Sequence, residues 1–259
     1  MGLLPEGWPH GRQRFSGWLW GSMSQTNNEF PITDNLLLSH LTREQHRVLS
    51  PDLQLVKLEL GQTLHAPDEK IKHVYFPTTS VISLLASLDN GDSVETGLIG
   101  SEGIVGTSIA LGVDAGSSLA LVQGTGVALR LPSLSLPPFL RNGGIFRQKT
   151  FEFINSLFAQ TAQTAACNRA HTVSQRLARW LLLTHDRVEG DELELTHELI
   201  ARMLGSRRAG VSVAANDLRE AGLISYTRGR VTVIDRTGLE AASCECYRMV
   251  KSHFDLLKK

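Results

Sequence analysis

The sequence is poor in cysteine, in aromatic residues and in long apolar runs, and its formal net charge is zero. Three cysteines among 259 residues do not make a disulfide framework, which favours a reducing compartment. No apolar run reaches the roughly 18 residues that a transmembrane helix needs, and the N-terminus has no secretory pattern. We therefore expect a cytoplasmic protein with no membrane partner. Basic and acidic residues number 26 each, which argues against a uniformly basic nucleic-acid coat.

The first segment differs from the rest of the chain. Residues 1–28 hold three of the four tryptophans and follow neither the strand nor the helix period. They are predicted to form an irregular leader, and we hypothesise that translation naturally starts at Met23. The intact mass of the endogenous protein tests this, because a mass that includes residues 1–22 would contradict it.

The composition, with 42% hydrophobic and 20% charged residues, is that of a globular protein. Residues 35–49 are expected to form one or two short helices. Between residues 53 and 132, short runs of valine, isoleucine, leucine, threonine and tyrosine alternate with turn residues. This pattern predicts a sandwich or a jelly-roll barrel, and Asn90-Gly91 predicts a hairpin within it.

Helical periodicity follows the strands. Residues 144–168 contain no proline, and a stripe that includes Phe146, Phe153, Leu157 and Phe158 recurs at steps of three and four. One long helix is therefore predicted. It could pack on its own barrel, but self-association with a second copy is the favoured interpretation. Further helices are predicted at 173–185, 196–204 and 207–221, followed by two short strands.

Residues 195–211 carry the most informative motif. Thr196 is placed to cap one helix, Gly205 to end it with a sharp turn, and Ser206 to cap a second helix. The first turn of the second helix presents Arg207 and Arg208. This order predicts a helix-turn-helix whose second helix enters the major groove. A helical hairpin with a solvated basic face is the structural alternative.

Charge is concentrated around this motif. Residues 201–236 hold seven arginines, no lysine and three acidic residues, a balance of +4 in a chain whose total is zero. Arginine suits bidentate contacts with phosphate and guanine. The turn Arg228-Gly229-Arg230 between the two short strands is typical of a wing that lies over backbone phosphates.

The order of these parts resembles the CRP/FNR family of bacterial transcription regulators over residues 30–240, most strongly at 176–182 and 196–224. The resemblance implies an α+β fold with an N-terminal double-stranded β-helix (jelly roll), a long dimerisation helix and a C-terminal winged helix-turn-helix. It implies a homodimer on double-stranded DNA with a pseudo-palindromic operator, contact with RNA polymerase, and a roll that senses a signal. The implied domains are a leader (1–28), a cyclic-nucleotide-binding-like β-roll sensor (29–142), a dimerisation helix (143–169), a DNA-binding domain (170–243) and a C-terminal tail (244–259).

The resemblance also assigns DNA contacts residue by residue. Arg208 matches the family arginine that reads a guanine, and Thr196 matches a threonine that contacts the DNA backbone. Arg207 and Ser206 match phosphate-contacting or capping positions. The full set of predicted DNA-binding residues is Thr196, Ser206, Arg207, Arg208, Ser212, Arg228 and Arg230.

Two base-reading positions depart from the family. Ala209 stands where a glutamate is typical, and Val213 stands where a second polar reader is typical. Either side chain could touch a thymine methyl group, or Val213 could belong to the core. The family's usual half-site is therefore not assumed.

The signal pocket also departs from the cyclic-nucleotide-binding members. Those members hold the ribose with a glutamate after a glycine, and the cyclic phosphate with an arginine about ten positions later. The matching residues here are Gly106-Thr107 and Ser117-Ser118, so the charged pair is missing. We expect no tight cyclic-AMP binding and an unknown small-molecule effector. The candidate residues of this degenerate pocket are Gly106, Thr107, Ser117, Ser118 and Thr161.

No metal or cofactor is expected. No cysteine precedes Cys167, so an N-terminal iron–sulfur cluster is not supported. Cys244 and Cys246, with His253, are interpreted as ordinary residues of a C-terminal helix, because alternate helical side chains diverge. His65 and His73 are haem-ligand candidates in principle, although surface or core histidines are more common.

Two other functions stay open. A cupin-like metal enzyme needs clustered histidines, but residues 50–135 hold only two, eight positions apart. No nucleophile elbow or phosphate-binding loop is present, so no enzymatic activity is expected. The second alternative is a β-roll ligand-binding or interaction module with a vestigial helix-turn-helix. The favoured prediction is a dimeric, sequence-specific DNA-binding regulator.

Overall fold

A computed structural model describes residues 34–258, so the predicted leader and the Met23 hypothesis lie outside the described residues. The described chain begins with a β-roll. Its strands are β1 (Gln54–Leu58), β2 (Thr63–His65), β3 (His73–Pro77), β4 (Val81–Ser87), β5 (Ser93–Ile99), β6 (Leu119–Gly124) and β7 (Gly126–Pro132). Short helices accompany them: α1 (Arg43–Leu49), α2 (Thr107–Ala110) and α3 (Leu136–Arg141).

The roll consists of two antiparallel sheets, with strand orders β1-β7-β3 and β2-β6-β4-β5. The predicted jelly roll is thereby confirmed. The Asn90-Gly91 hairpin joins β4 to β5, and Gly91 has the left-handed φ of +86° that such a turn requires. Not every apolar run between residues 53 and 132 forms a strand: Ile104-Val105 makes only an isolated bridge, between Val105 and Tyr75.

The predicted long helix is α4 (Gly144–Ala170), and it packs against the roll. Phe146 and Phe153 are fully buried on its inner face. Gly103 of the roll permits the close approach, since a Cβ atom there would lie 2.1 Å from the Phe153 ring. Any larger residue at position 103 would therefore push α4 away from the sheet.

The C-terminal part is a helical domain with a small sheet. Its elements are α5 (Val173–His185), β8 (Glu192–Leu193), α6 (His197–Leu204), α7 (Arg208–Glu220), β9 (Ile224–Thr227), β10 (Arg230–Val233), α8 (Arg236–Ala242) and α9 (Cys246–Leu257). The sheet has the order β8-β10-β9, which is the wing. The segment expected to be a C-terminal tail contains α9, which buries Tyr247, Val250 and Phe254. None of the described helices is long and apolar enough to cross a membrane.

Buried polar contacts join the roll to the C-terminal domain. Trp180 of α5 donates its indole N–H to Oε1 of Glu95 on β5 at 3.0 Å, and Ser83 donates to Oε2 at 2.7 Å. Arg187 forms an ion pair with Glu102 at 2.8 Å. Burial raises the pKa of Glu95 to about 7, although the two hydrogen bonds and nearby arginines favour the carboxylate.

This carboxyl group makes stability depend on pH. Above a pH of 4.5 the unfolded chain ionises Glu95, whereas the folded chain keeps its proton up to about 7. The free energy of unfolding therefore falls as pH rises through this window, by on the order of 3 kcal/mol in total. We expect Glu95→Gln to abolish most of that fall while leaving stability at pH 4.5 nearly unchanged.

Urea unfolding at a series of pH values measures the effect. Glu198→Gln is the matched control, because the Glu198 side chain is 80% exposed. Parallel loss of stability in the wild type and Glu95→Gln across the window would refute this role of Glu95.

Candidate nucleic-acid interface

The helix-turn-helix is formed by α6, a tight turn and α7. Thr196 caps α6 by accepting a hydrogen bond from the backbone N–H of Leu199 at 3.1 Å. Gly205 ends α6 in the left-handed conformation, with φ +55° and ψ 43°. Leu199, Met203 and Val211 are buried between the helices. These local features agree with the motif predicted from the sequence.

The role of Ser206 differs from the expectation. Helix α7 begins at Arg208, and Arg207 occupies the cap position without a side-chain cap bond. The Ser206 hydroxyl instead accepts a hydrogen bond from the buried Arg176 of α5, which also donates to Asn168 at 3.3 Å. Because the Ser206 hydroxyl bonds to Arg176, Ser206 connects the turn to α5 and does not cap α7.

Arg207 and Arg208 project from the start of α7. The Arg208 side chain is 71% exposed, and its Nε lies 3.9 Å from a carboxylate oxygen of the equally exposed Glu198. An exposed pair at this distance is weak, so the guanidinium can exchange it for a base or a phosphate. Within residues 34–258 the Arg207 side chain forms neither a hydrogen bond nor an ion pair.

The wing lies beside the beginning of α6. Gly229 at its tip has a φ of +73°, and a Cβ atom there would sit 3.8 Å from Cγ2 of Thr196. Arg228 is exposed at the same tip. Arg230 points toward β8 and its extension, where it lies 3.5 Å from Glu192 and 3.9 Å from Glu194. Thr196 and Arg228 therefore lie at the same edge of the C-terminal domain, where the wing tip meets the start of α6. Arg230 is instead paired with Glu192 and Glu194.

His197 links the wing to both helices. Its ring lies 4.2 Å from that of Tyr226 on β9, and its Nδ1 is 3.1 Å from Oγ of Ser212 on α7. Burial, together with the charge of Arg208, lowers the pKa of His197. The neutral imidazole therefore holds Ser212 in place at neutral pH, an interaction that the sequence pattern did not indicate.

The two departing positions are both at the surface. Val213 is 63% exposed, so the alternative that it belongs to the core is wrong. Ala209 is also exposed, one residue after Arg208. Both are available to contact thymine methyl groups.

The local charge of the sequence is only partly available to DNA. Arg236 bonds to Asp186 and Tyr247 at 2.6 and 2.7 Å, which fixes α8 to α5 and α9. Arg202 donates to Ser93 of the roll at 2.7 Å. Arginine count alone could not separate these bonded residues from the arginines without partners among residues 34–258, because the partners of Arg202 and Arg236 lie far away in the sequence.

A cleft of about 710 Å³ separates the motif from the β4–β5 hairpin of the roll. One wall contains Gly205, Arg207 and Arg208, and the other contains Asp92 and Val94. The contact is close, since a Cβ atom at Gly205 would lie 3.1 Å from Val94. The roll therefore contacts the turn of the helix-turn-helix directly.

Side chains of the roll lie close to both glycines of the degenerate pocket. Val74 and Ile71 pack beside Gly106, and His65 and Ile71 pack beside Gly116, within 3.0 to 3.6 Å of where Cβ atoms would be. The Thr161 hydroxyl donates to the carbonyl oxygen of Leu157 on its own helix at 3.0 Å.

The polar candidates of this pocket sit at the surface of the roll. Thr107 begins α2 after the left-handed Gly106. Ser117 is exposed and Ser118 is half-buried. His65 and His73 lie on strands of different sheets, β2 and β3.

Comparison with known proteins agrees with this architecture. The family model for a Crp-like helix-turn-helix domain matches residues 175–242. The global nitrogen regulator of Synechococcus elongatus is 25% identical over 201 residues, which cover 72% of this chain and 88% of that protein. The global nitrogen regulator of Synechocystis is 24% identical over 183 residues, covering 67% and 81%.

Solved structures share the fold. A CRP/FNR-family transcriptional regulator from Eubacterium rectale superposes with a TM-score of 0.64 at 18% identity, covering 83% of this chain and 99% of the other. FixK2 from Bradyrhizobium japonicum gives 0.62 at 16% identity, covering 74% and 98%. With its β-roll, its long helix and a Crp-like helix-turn-helix at residues 175–242, the chain has the fold of the CRP/FNR-family transcription regulators to which it is similar.

Proposed function

We propose that this regulator binds a pseudo-palindromic operator as a homodimer through the α6–α7 motif. The observation that carries the proposal is the exposed pair Arg207 and Arg208 at the start of α7, beside the wing tip. Arg208 reads base edges, while Arg207, Arg228 and the α6 start at Thr196 contact phosphates. Ser206 and Ser212 act indirectly, by fixing the turn and α7, and Arg230 exchanges its carboxylate partners for phosphate.

The long helix supports the dimer. One face of α4 is buried against the roll and α9, but a second apolar stripe is accessible: Phe151, Ile154, Phe158, Ala162 and Ala165. These residues follow steps of three and four, the spacing of a helix that pairs with another helix. Phe158 is 72% exposed. A second copy of the chain would cover this stripe and set two α7 helices one helical turn of DNA apart.

In this proposal residues 29–142 sense a signal, 143–169 form the dimerisation helix and 170–243 bind DNA. The hairpin contact with Gly205 offers a direct route by which a change in the roll reaches the DNA-reading turn. RNA polymerase is a further partner by family similarity, and a chromosomal target places the protein in the cytoplasm. We propose no enzymatic role.

In-vitro selection from random duplex DNA tests the operator proposal. We expect an inverted repeat whose half-site centres lie about 10 base pairs apart. Selection that enriches no sequence, or only a single half-site bound by one chain, would contradict it.

We also propose that cyclic AMP does not control this protein. Thr107 replaces the charged ribose ligand of the cyclic-nucleotide-binding members and Ser117 replaces the charged phosphate ligand, and the side chains of Val74, Ile71 and His65 lie beside the two glycines. A cyclic phosphate loses charge-assisted hydrogen bonds, each worth about 1.5–3 kcal/mol. Titration calorimetry should show no binding in the micromolar range, with a cyclic-AMP-binding family member as positive control. Micromolar affinity would overturn this part of the proposal.

A further inference from the structure

All three cysteines of the chain meet at one place, although they are up to 79 positions apart. The sulfur atoms of Cys167, Cys244 and Cys246 and a ring nitrogen of His171 all lie within 4.8 Å of one another. The three thiols are buried, with exposed fractions of 0, 5 and 1%. This cluster lies outside the DNA interface and the degenerate pocket.

The fold explains the convergence. Cys167 and His171 are one helical turn apart at the end of α4, so they share a face. Cys246 is the first residue of α9, and Cys244 lies two residues earlier, outside regular secondary structure. The prediction that the Cys244 and Cys246 side chains diverge requires both residues to lie in one helix. Only Cys246 lies in a helix, so that prediction is wrong. His253 takes no part, since the nearby histidine is His171.

The distances suit a tetrahedral metal site. Cys167 Sγ lies 3.5 Å from Cys244 Sγ, and Cys246 Sγ lies 3.6 Å from Nδ1 of His171. A tetrahedral zinc ion with ordinary bond lengths separates two sulfurs by about 3.8 Å, and a sulfur from an imidazole nitrogen by about 3.6 Å. A disulfide would need the sulfurs at about 2.05 Å and would leave the third thiol without a role.

The surroundings orient the ligands. Nε2 of His171 lies 3.3 Å from a carboxylate oxygen of Glu245, which favours the tautomer whose Nδ1 lone pair faces the thiols. Gln163 donates an amide N–H to Cys246 Sγ at 3.0 Å, as suits a thiolate. The Cys167 and Cys244 thiols lie within hydrogen-bonding distance of each other, so both sulfur atoms already face the same point.

We propose that Cys167, His171, Cys244 and Cys246 bind one Zn²⁺ ion per chain as a closed structural site. Three soft thiolates with one imidazole select zinc over hard cations, and four protein ligands leave no open position for catalysis. The ion would tie the end of α4 to the start of α9. Because α5 begins two residues after His171, the site would fix the joint between the long helix and the DNA-binding domain.

Metal analysis of the full-length protein tests this. The protein is expressed in zinc-supplemented cells, purified under reducing conditions without a histidine tag, and analysed by plasma mass spectrometry. We expect one zinc per chain, and exchange for Co²⁺ should give the visible absorption of tetrahedral thiolate coordination. Stoichiometric iron, less than a tenth of an equivalent of metal, or a Cys167–Cys244 disulfide would overturn the proposal.

Variants locate the ion and guard against simple misfolding. Cys244→Ser should lose zinc and melt at a lower temperature, whereas His253→Ala, on the same C-terminal helix, should retain it. His171→Cys should keep zinc and give stronger thiolate-to-cobalt charge-transfer absorption, because a fourth sulfur replaces the imidazole. Retention of full zinc by Cys244→Ser, or an unchanged cobalt spectrum in His171→Cys, would place the metal elsewhere.

Discussion

Replacing Arg208 with alanine should weaken operator binding by about 1–3 kcal/mol in each half-site, which is roughly fivefold to more than a hundredfold. The side chain is 71% exposed at the first position of α7, and its only ion pair within the described residues is the long one to Glu198. Its removal therefore leaves the fold intact while deleting a bidentate interaction with a base. Because a dimer uses two half-sites, the total loss doubles.

The measurement compares the selected operator with random DNA of equal length at one salt concentration. Arg208→Ala should lose affinity mainly for the operator, whereas Arg228→Ala at the wing tip should lose affinity for both sequences alike. Arg228→Ala should also reduce the slope of log affinity against log salt by about one for each phosphate that the variant no longer neutralises. An equal loss on both DNAs for Arg208→Ala would show that Arg208 contacts only phosphate.

Replacing Phe158 with glutamate should produce a monomer and reduce operator affinity by about 10³-fold, toward the non-specific level. Phe158 is 72% exposed in the middle of the accessible stripe of α4. In the proposed dimer its counterpart would bury it, and a glutamate there would place two unpaired charges in an apolar seam. A monomer can contact only one half-site, so its affinity for the operator falls.

Sedimentation equilibrium and gel-shift titration report the two effects. Leu134→Glu is the matched control, since Leu134 is 79% exposed outside α4. It should leave both the mass and the DNA affinity unchanged. A Phe158→Glu protein that still sediments as a dimer would show that another surface holds the subunits together.

The helix-turn-helix was predictable because its signals are local. A threonine cap, a glycine in the left-handed region and apolar residues at helical spacing lie within a few positions of one another, and Thr196 and Gly205 behave as expected. Ser206 was misassigned because its partner, Arg176, lies 30 positions earlier. A cap prediction considers only the neighbouring backbone, so it could not include the buried side chain of Arg176.

The long helix shows a similar limit. The apolar stripe read from the α4 sequence contains residues of two different helix faces. Phe153 is buried against the roll, whereas Phe158 is exposed. Periodicity of three and four counts apolar positions without separating two faces that lie side by side. Packing on the roll and an accessible stripe therefore occur together, although the sequence presented them as alternatives.

The cysteine cluster could not be predicted from spacing. Its ligand positions span the interval from residue 167 to residue 246, and their meeting depends on α9 folding back along α4. The Cys-x-Cys pair was a usable signal only if residue 244 was recognised as lying before the helix rather than in it. Distant partners also explain Arg202 and Arg236, which were counted toward a DNA-facing charge although Arg202 bonds to Ser93 and Arg236 bonds to Asp186.

The most direct test of sequence-specific recognition is a competition experiment with the wild-type protein, in which the selected inverted repeat competes with random duplex DNA at fixed salt. Recognition by two α7 helices predicts a preference of at least about 10³-fold for the inverted repeat, with two chains bound to each duplex. A preference below about tenfold, or one chain per duplex at saturation, would contradict it.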